Sequence, residues 1–495
     1  MILPFFVIIP LACAFLISLL GKLNKRISDI FANLGTFTLL ILSLSAIRYQ
    51  LFAKVIVYRV GGWPPPIGIS MVLDGLSSFI LMSVNLVSFL VCLYSVSYMN
   101  KYTDKYRFHS LFMLMLAGMN GVIVTGDLFN LFVFLEIASI SSYALVAFGT
   151  EAEELEASFK YAIMGSVASS FILLGIALLY SYTSTLNMAD MGSVLLSRGN
   201  SLLVNFISVL FLMGFGLKAA LVPFHAWLPD AHPSAPASIS AMLSGVLIKV
   251  LGVYALMRIY FNILGINNII LSIFMFLGAA SMLVGVILAL GQWDFKRLLA
   301  YHSISQIGYI ILGIGLGSPL GILAGLFHLF NHSIFKSLLF LNSGAVAYRL
   351  GTRDLQDMGG LKERMPTTAN TNLVASLSIA GIPPFNGFFS KFLIIVACIQ
   401  SRQIIYGICA VIASILTLAS FMKVQKYAFF GKLNKKWQDI KEVPGIMQLS
   451  MVVLAVLCLV SALLITPLFK PYLESAVNVL LLGRGYNKAV FGALK

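Results

Sequence analysis

Apolar runs of transmembrane length, joined by short polar or charged links, fill most of this chain. A helix crossing a bilayer needs roughly 20 such residues, and the runs predict about fourteen spans. They are expected at 2–20, 28–52, 72–99, 108–125, 128–148, 157–182, 201–228, 237–260, 268–290, 298–316, 320–350, 368–400, 404–430 and 446–469. Between the second and third, VIVYRVGGWPPP alternates Val and Tyr and predicts a small hairpin strand outside the membrane. The first run carries no basic leader and no convincing cleavage site, so it is expected to remain as the first helix. The last segment has Leu and Val on one side and Lys and Arg on the other, as a surface that meets partners or anionic lipid would.

Two runs are interrupted. From Lys218 to Lys249 the chain reads KAALVPFHAWLPDAHPSAPASISAMLSGVLIK, with Pro223, Pro229, Pro233 and Pro236 close together. Each proline lacks an N–H and clashes with the preceding turn, so no single helix runs through all four. Irregular backbone at membrane depth is tolerated only where protein buries it or a wet cavity faces it. The second interruption is Gly381-Ile382-Pro383-Pro384-Phe385-Asn386-Gly387. The two share a Pro-Phe core with a lysine nearby, Lys218 and Lys391, and lie five spans apart. An odd separation inverts the second unit, and paired interrupted helices in inverted halves point to a transport path.

Composition sharpens this picture. Of 495 residues, 59% are hydrophobic and 10% charged, against about 25% charged in soluble domains. The net charge of +15 is spread thinly and sorts by loop, which indicates topology and excludes a nucleic-acid surface. Lys22 and Arg26, Lys101, Lys105 and Arg107, Lys296 and Arg297, Arg349 to Arg364, and Lys426 to Lys441 all follow odd-numbered spans. Alternate loops hold isolated cations such as Arg59, Arg198 and Arg402. The basic face is expected to be cytoplasmic with both termini outside; the acidic 151–156 loop is the exception, and anions weigh little in this rule. The five cysteines fall in apolar runs without C-x-x-C spacing, so neither a disulfide frame nor an iron–sulfur site is expected.

The candidate chemistry is the charge inside the membrane. Glu136 lies mid-way along span five and needs a cationic partner to stay ionised; Lys218 is the expected one, as a structural pair or a working one. Lys249 sits too far from either end of span eight to snorkel. A buried ammonium whose charge answers to its neighbours is a proton carrier. His328, His332 and Lys336 recur at spacing four and share a helical face, and imidazole suits a relay. A zinc site is disfavoured, because HLFNH lacks the glutamate of H-E-x-x-H and no cysteine is near. Lys391 would end the row. His225, Asp230 and His232 either line the mouth of the path or cap broken helix ends. Asp74 and His109 read as interfacial. Inserting four central lysines costs on the order of 10 kcal/mol, which a purely structural protein has no reason to bear. The chain carries no phosphate loop and no haem or flavin motif, so no cofactor is expected, and energy must come from an ion gradient or a partner.

KAALVPFHAWLPDAHPSAPASISAMLSG, QWDFKRLLAYHSISQIGY, FHLFNHSIFKSLLFL, and RDLQDMGGLKERMP followed by SIAGIPPFNGFFSK together resemble the antiporter-like subunits shared by respiratory complex I, membrane-bound hydrogenases and Mrp-type cation/proton antiporters. The resemblance covers about Asp74 to Lys441. It implies fourteen helices, with helices 1–3 in 1–107, inverted five-helix repeats in 108–262 and 263–431, and a last helix and tail in 432–495. It also implies a lateral proton path through Glu136, Lys218, Lys249, His328, His332 and Lys391. Some family members have glutamate in the last of these positions; lysine leans towards the D-type Mrp members and the hydrogenase-associated ones. The tail lacks the long lateral helix of the largest complex I member. The implied role is a proton-translocating subunit, non-catalytic by itself, in a multi-subunit complex of a prokaryotic cell membrane. Its partners would be sister membrane subunits and lipid, with H⁺ and Na⁺ as candidate ions. The alternatives are the D-type member of a stand-alone Mrp-type Na⁺/H⁺ antiporter, a scaffold and a zinc enzyme.

Overall fold

The computed structural model describes residues 2–52, 55–199 and 201–493. Among these residues, eleven helices are long and apolar enough to cross a membrane, and three shorter apolar helices stand with them. The chain is a multi-pass, all-α membrane protein. In order, it runs α1 (Phe5–Leu20), α2 (Lys25–Phe52), strands β1 (Ile56–Arg59) and β2 (Ser70–Leu73), α3 (Gly75–Tyr98), α4 (Lys105–Val124), α5 (Leu128–Val146) and α6 (Ala152–Thr183). A short surface helix α7 (Met188–Arg198) leads to α8 (Leu202–Lys218), α9 (Leu228–Ser234), α10 (Ala237–Leu264), α11 (Asn268–Leu290), α12 (Phe295–Gly315) and α13 (Pro319–Leu350). Then follow α14 (Pro366–Ala380), α15 (Asn386–Gln400), α16 (Ile404–Phe429), α17 (Gly445–Ile465), α18 (Lys470–Leu481) and α19 (Tyr486–Gly492).

Several boundaries differ from the sequence reading. The strand in 55–60 finds its partner in Ser70–Leu73, antiparallel with Ile56 opposite Leu73, so the third span starts later than residue 72. It starts at Gly75 because Asp74 caps it: Ser77 N–H donates to Asp74 Oδ1 at 2.8 Å, and Asp74 N–H donates to Ser77 Oγ at 2.7 Å. The acidic 151–156 stretch is no loop; Glu151 caps α6, and Glu153 and Glu154 sit in its first turn, where the helix dipole favours anions. The amphipathic tail folds back on its own chain, with Leu473, Ala476, Val477 and Leu480 buried and α18 packed against α3 and α13. Its apolar side is therefore used internally.

α10 and α13 are enclosed on all sides, whereas α2, α6, α11, α16 and α17 turn residues such as Phe37, Phe159, Phe276 and Ile408 outward. Helices in lipid associate by close packing of small residues. Gly252 of α10 does this against α8, since a Cβ there would fall 2.5 Å from Ala219 Cα.

Both interruptions are present. α8 stops at Lys218, earlier than Pro223, because the irregular segment 219–227 must form before a proline can be accommodated. There Val222 N–H donates to Ser281 Oγ of α11 at 3.0 Å, and Trp227 Nε1–H donates to the carbonyl of Leu217 at 3.1 Å, which Ala220 N–H also reaches at 3.0 Å. α14 ends at Gly381 in the left-handed region (φ 80°), where Ile382 N–H bonds Leu377 O at 3.0 Å and closes the helix.

The links after spans five, seven, nine and eleven converge on one face. Glu153, Lys160, Asp230, Asp294, Arg297 and Arg353 line a shared cleft of about 420 Å³ there. On the other face Gly126 N–H donates to Ser70 O at 2.8 Å, and Leu128 N–H donates to Leu186 O at 2.9 Å, joining the links after spans two, four and six.

Candidate functional site: a buried row of basic residues

The row begins at the first break. Lys218, the last residue of α8, is 5% exposed. Its Nζ stands 3.7 Å from Glu136 Oε1, donates to Ser139 Oγ at 2.9 Å and reaches Tyr143 OH at 3.4 Å. All three partners come from α5, which places them on successive turns. Glu136 accepts a hydrogen bond from Ser169 Oγ of α6 at 2.5 Å. At 3.7 Å the charges attract without a hydrogen bond between them.

The contact of Gly252 with Ala219 brings the break against α10, one turn from Lys249. Most of α10 is wound as a π-helix, over Leu243–Leu247, Lys249–Tyr254 and Arg258–Leu264. π-winding clusters at functional positions. Lys249 is 1% exposed and meets no carboxylate among the described residues; its ammonium donates to Ser244 O at 2.7 Å and to Gly245 O. The cation that reaches it electrostatically is Lys336.

On α13, His328, His332 and Lys336 are fully buried along one face. The two rings are 6.4 Å apart, and His328 Nδ1 pairs with Ser390 Oγ at 2.9 Å. Tyr309 of α12 continues the line: its ring is 5.4 Å from that of His328 and 4.7 Å from Lys391 Nζ. Lys391 reaches back from α15 across the second break, donating to Ile379 O at 2.7 Å in the last turn of α14. Lys336 Nζ donates to Leu299 O. Lys249, Lys336 and Lys391 all act electrostatically on His332, neither of whose ring nitrogens has a hydrogen-bond partner among the described residues. Lys249, His328, His332, Lys336 and Lys391 thus form one cluster, joined to the Glu136–Lys218 pair through the Gly252–Ala219 contact. Among the described residues, no group of three or more His, Cys, Asp or Glu could hold a metal ion.

The three mouth candidates separate. Asp230 faces the cleft, paired with Lys160 and Arg297 at 3.2 Å each. His225 is half-buried on the break itself. His232 points inward: it is fully buried, 5.1 Å from the Phe340 ring, and within reach of Lys249 and Lys336. Between cleft and cluster, Lys296 Nζ donates to Ala235 O at 2.5 Å and Arg353 Nη1 donates to Pro233 O at 2.5 Å, so the proline-rich segment is held by cations.

Sequence reasoning passed over two groups. His302 of α12 is fully buried, bonds Ser420 Oγ at 2.8 Å and feels Lys336 and Lys391, so it belongs with the cluster. Its signal was a lone histidine in the apolar stretch LLAYHSISQIGY. Asp74 and His109 do lie near helix ends, as the N-cap of α3 and near the start of α4, but each is enclosed by protein. Asp74 is fully buried and pairs with Arg258 at 2.9 Å, and His109 is buried against Asp29 at 3.0 Å.

A family model described as "NADH:quinone oxidoreductase/Mrp antiporter, TM" matches residues 125–417, and one described as "NADH-Ubiquinone oxidoreductase (complex I), chain 5 N-terminus" matches 64–109. The D-type subunit of the Na⁺/H⁺ antiporter of Alkalihalophilus pseudofirmus is 35% identical over 92% of both chains. The N-type subunit of the NADH-quinone oxidoreductase of Desulforudis audaxviator is 36% identical over 86% of both. A chain in the structure of the Mrp complex from a Dietzia species superposes with a TM-score of 0.92 at 30% identity, covering 99% of each chain. This chain therefore belongs to the family of antiporter-like membrane subunits shared by NADH:quinone oxidoreductases and Mrp antiporters.

Proposed function

We propose that this chain is the proton-translocating subunit of a multi-subunit membrane complex. Protons would pass sideways through the bilayer centre by way of Glu136, Lys218, Lys249, His332, His328 and Lys391, with Lys336, His232 and His302 beside them. The observation that carries the reading is the Glu136–Lys218 pair at the helix break, 3.7 Å apart and hydrogen-bonded to separate hydroxyls. Such a pair opens or closes with a small movement, and the lysine's charge when released is felt by the next cation. Protons would be loaded from the charged cleft at Asp230.

The repeats would be 108–262 and 263–431, each with one interrupted helix. The basic face is assigned to the cytoplasm of a prokaryotic cell, with both termini outside. Similarity to a Na⁺/H⁺ antiporter member favours coupling to Na⁺ without redox chemistry, and similarity to a quinone oxidoreductase member favours a redox-driven partner. In either case further membrane subunits would stand beside this one.

The test is ΔpH formation in vesicles holding the whole complex, wild type beside Lys218→Ala. A ΔpH raised by Na⁺ alone and lost in the variant assigns an antiporter. A ΔpH that needs an electron donor and is lost in the variant assigns a redox pump. Equal signals from wild type and variant refute the row.

A further inference from the structure

α1 to α4 pack on one another and enclose polar groups that take no part in the row. At the basic face, Asp29 of α2 is shared by Lys105 Nζ at 2.8 Å and His109 Nε2 at 3.0 Å. Lys105 also donates to Val96 O at 2.5 Å and to Asn100 Oδ1 at 3.1 Å. The Asp29 side chain is 20% exposed and that of His109 not at all, so the carboxylate faces outward and the imidazole inward.

Further in, Asp29, Thr36 and Ser43 recur every seventh residue and keep one face of α2 over ~21 Å at 1.5 Å per residue. α3 carries Cys92, Ser88 and Asn85, all buried, and Asn85 Nδ2 donates to Ser43 Oγ at 2.9 Å. Asn120 of α4 donates to Asn85 Oδ1 at 3.2 Å and to Phe6 O at 3.1 Å. Asn120 lies one turn before the end of α4 at Val124, so these groups reach from the basic face almost to the opposite one.

Polar side chains also hold spanning helices together, but that role leaves no atom over. Here His109 Nδ1, Ser88 Oγ and Asn120 Oδ1 are buried without a hydrogen-bond partner among the described residues. Each such group costs about 1–3 kcal/mol. They stand at successive depths along α3 and α4, farther apart than one water bridges, so a file of several waters would connect them.

We infer that α1–α4 contain a second proton path, separate from the row, with Asp29, Lys105 and His109 as its loading site and Ser88, Asn85 and Asn120 as its relay. A proton taken up by the Asp29 carboxylate passes to His109 Nε2 while Nδ1 gives its own proton to the next water. Asp29 returns to a carboxylate held by Lys105, and the imidazole remains neutral in its other tautomer.

The inference rests on the reading of the chain as a proton translocator, so Lys218→Ala accompanies each measurement. The whole complex is placed in vesicles, and the initial rate of ΔpH formation is divided by the amount of assembled complex. His109→Gln keeps a donor to Asp29 but cannot relay a proton, and Asn120→Leu cuts the line without touching a charge. The two paths turn over together in one coupled cycle, so each variant is expected to lower the rate per complex at least tenfold, and Asn120→Ser to recover most of it. A merely structural role would lower the amount assembled and leave the rate per complex intact. Should His109→Gln assemble poorly, Asp29→Asn carries the same comparison. Normal rates per complex in the His109 and Asn120 variants, with Lys218→Ala inactive, overturn the second path alone. A normal rate in Lys218→Ala overturns the reading of the row instead.

Discussion

Asp74→Leu should destabilise this chain more than most single changes to its interior. The Asp74 carboxylate is fully buried and takes Arg258 Nη1 at 2.9 Å and Nη2 at 3.1 Å, Tyr486 OH at 2.8 Å and Ser77 N–H at 2.8 Å. Removing it strands a guanidinium that is itself only 5% exposed. Breaking a buried pair from one side costs about 3–5 kcal/mol, whereas replacing both members by apolar groups is often close to neutral. Arg258 keeps weak contacts with Tyr254 OH at 3.4 Å and Asn262 Oδ1 at 3.3 Å, so the lower end, about 3 kcal/mol, is expected. The double variant Asp74→Leu/Arg258→Met should return to within about 1 kcal/mol of wild type. The five cysteines are free and lie in spanning helices, so a thiol-reactive fluorophore reports unfolding of the purified chain in detergent without added labels. The reasoning is refuted if Asp74→Leu unfolds within about 1 kcal/mol of wild type, or if the double variant is no more stable than Asp74→Leu.

Three further changes probe the site. Gly252→Leu would drive a side chain into Ala219, whose Cα and N lie 2.5 Å from any Cβ there; translocation per complex should fall at least tenfold even where assembly survives, and a normal rate would separate Lys249 from the break. Asp230→Asn removes the cleft carboxylate shared by Lys160 and Arg297; exposed pairs are worth under about 1 kcal/mol, so stability should hold, while the initial rate of proton loading drops several-fold and loses much of its dependence on salt. A drop in thermal stability with an unchanged rate would make Asp230 a structural cap. Lys391→Met should stop translocation and leave Glu136–Lys218 intact, checked by a ΔpH assay beside the thiol-probe melt.

The row was largely legible in the sequence because ionisable residues inside apolar runs are rare and costly. Glu136 and Lys218 were each the one charged residue of their runs, Lys249 stood mid-run with Arg258 only near the end, and the period-four spacing of His328, His332 and Lys336 gave a shared face directly. What remained hidden depended on contacts between distant parts of the chain. Asp74 and Arg258 are 184 residues apart, and each near the end of a run looks like an interfacial charge. Asp230 and His232 are neighbours in sequence, yet the short helix α9 turns one to the cleft and the other to the interior. The break was marked by Pro223, but its start at Lys218 was set by how many residues the irregular segment needs. α7 is too short and too polar to register in a search for spans.

The buried ammonium groups of Lys249, Lys336 and Lys391 are solvated chiefly by main-chain carbonyls: Ser244 and Gly245, Leu299, and Ile379. A carbonyl cannot be mutated away, and its dipole is fixed by the pitch of the helix that carries it. Variation that tunes how these lysines exchange protons would then leave the charged residues alone. It would accumulate instead at small or branched neighbours that tighten or loosen a helical turn, most of all along the π-wound stretch of α10. A comparison of natural relatives confined to ionisable positions would miss this means of adjustment.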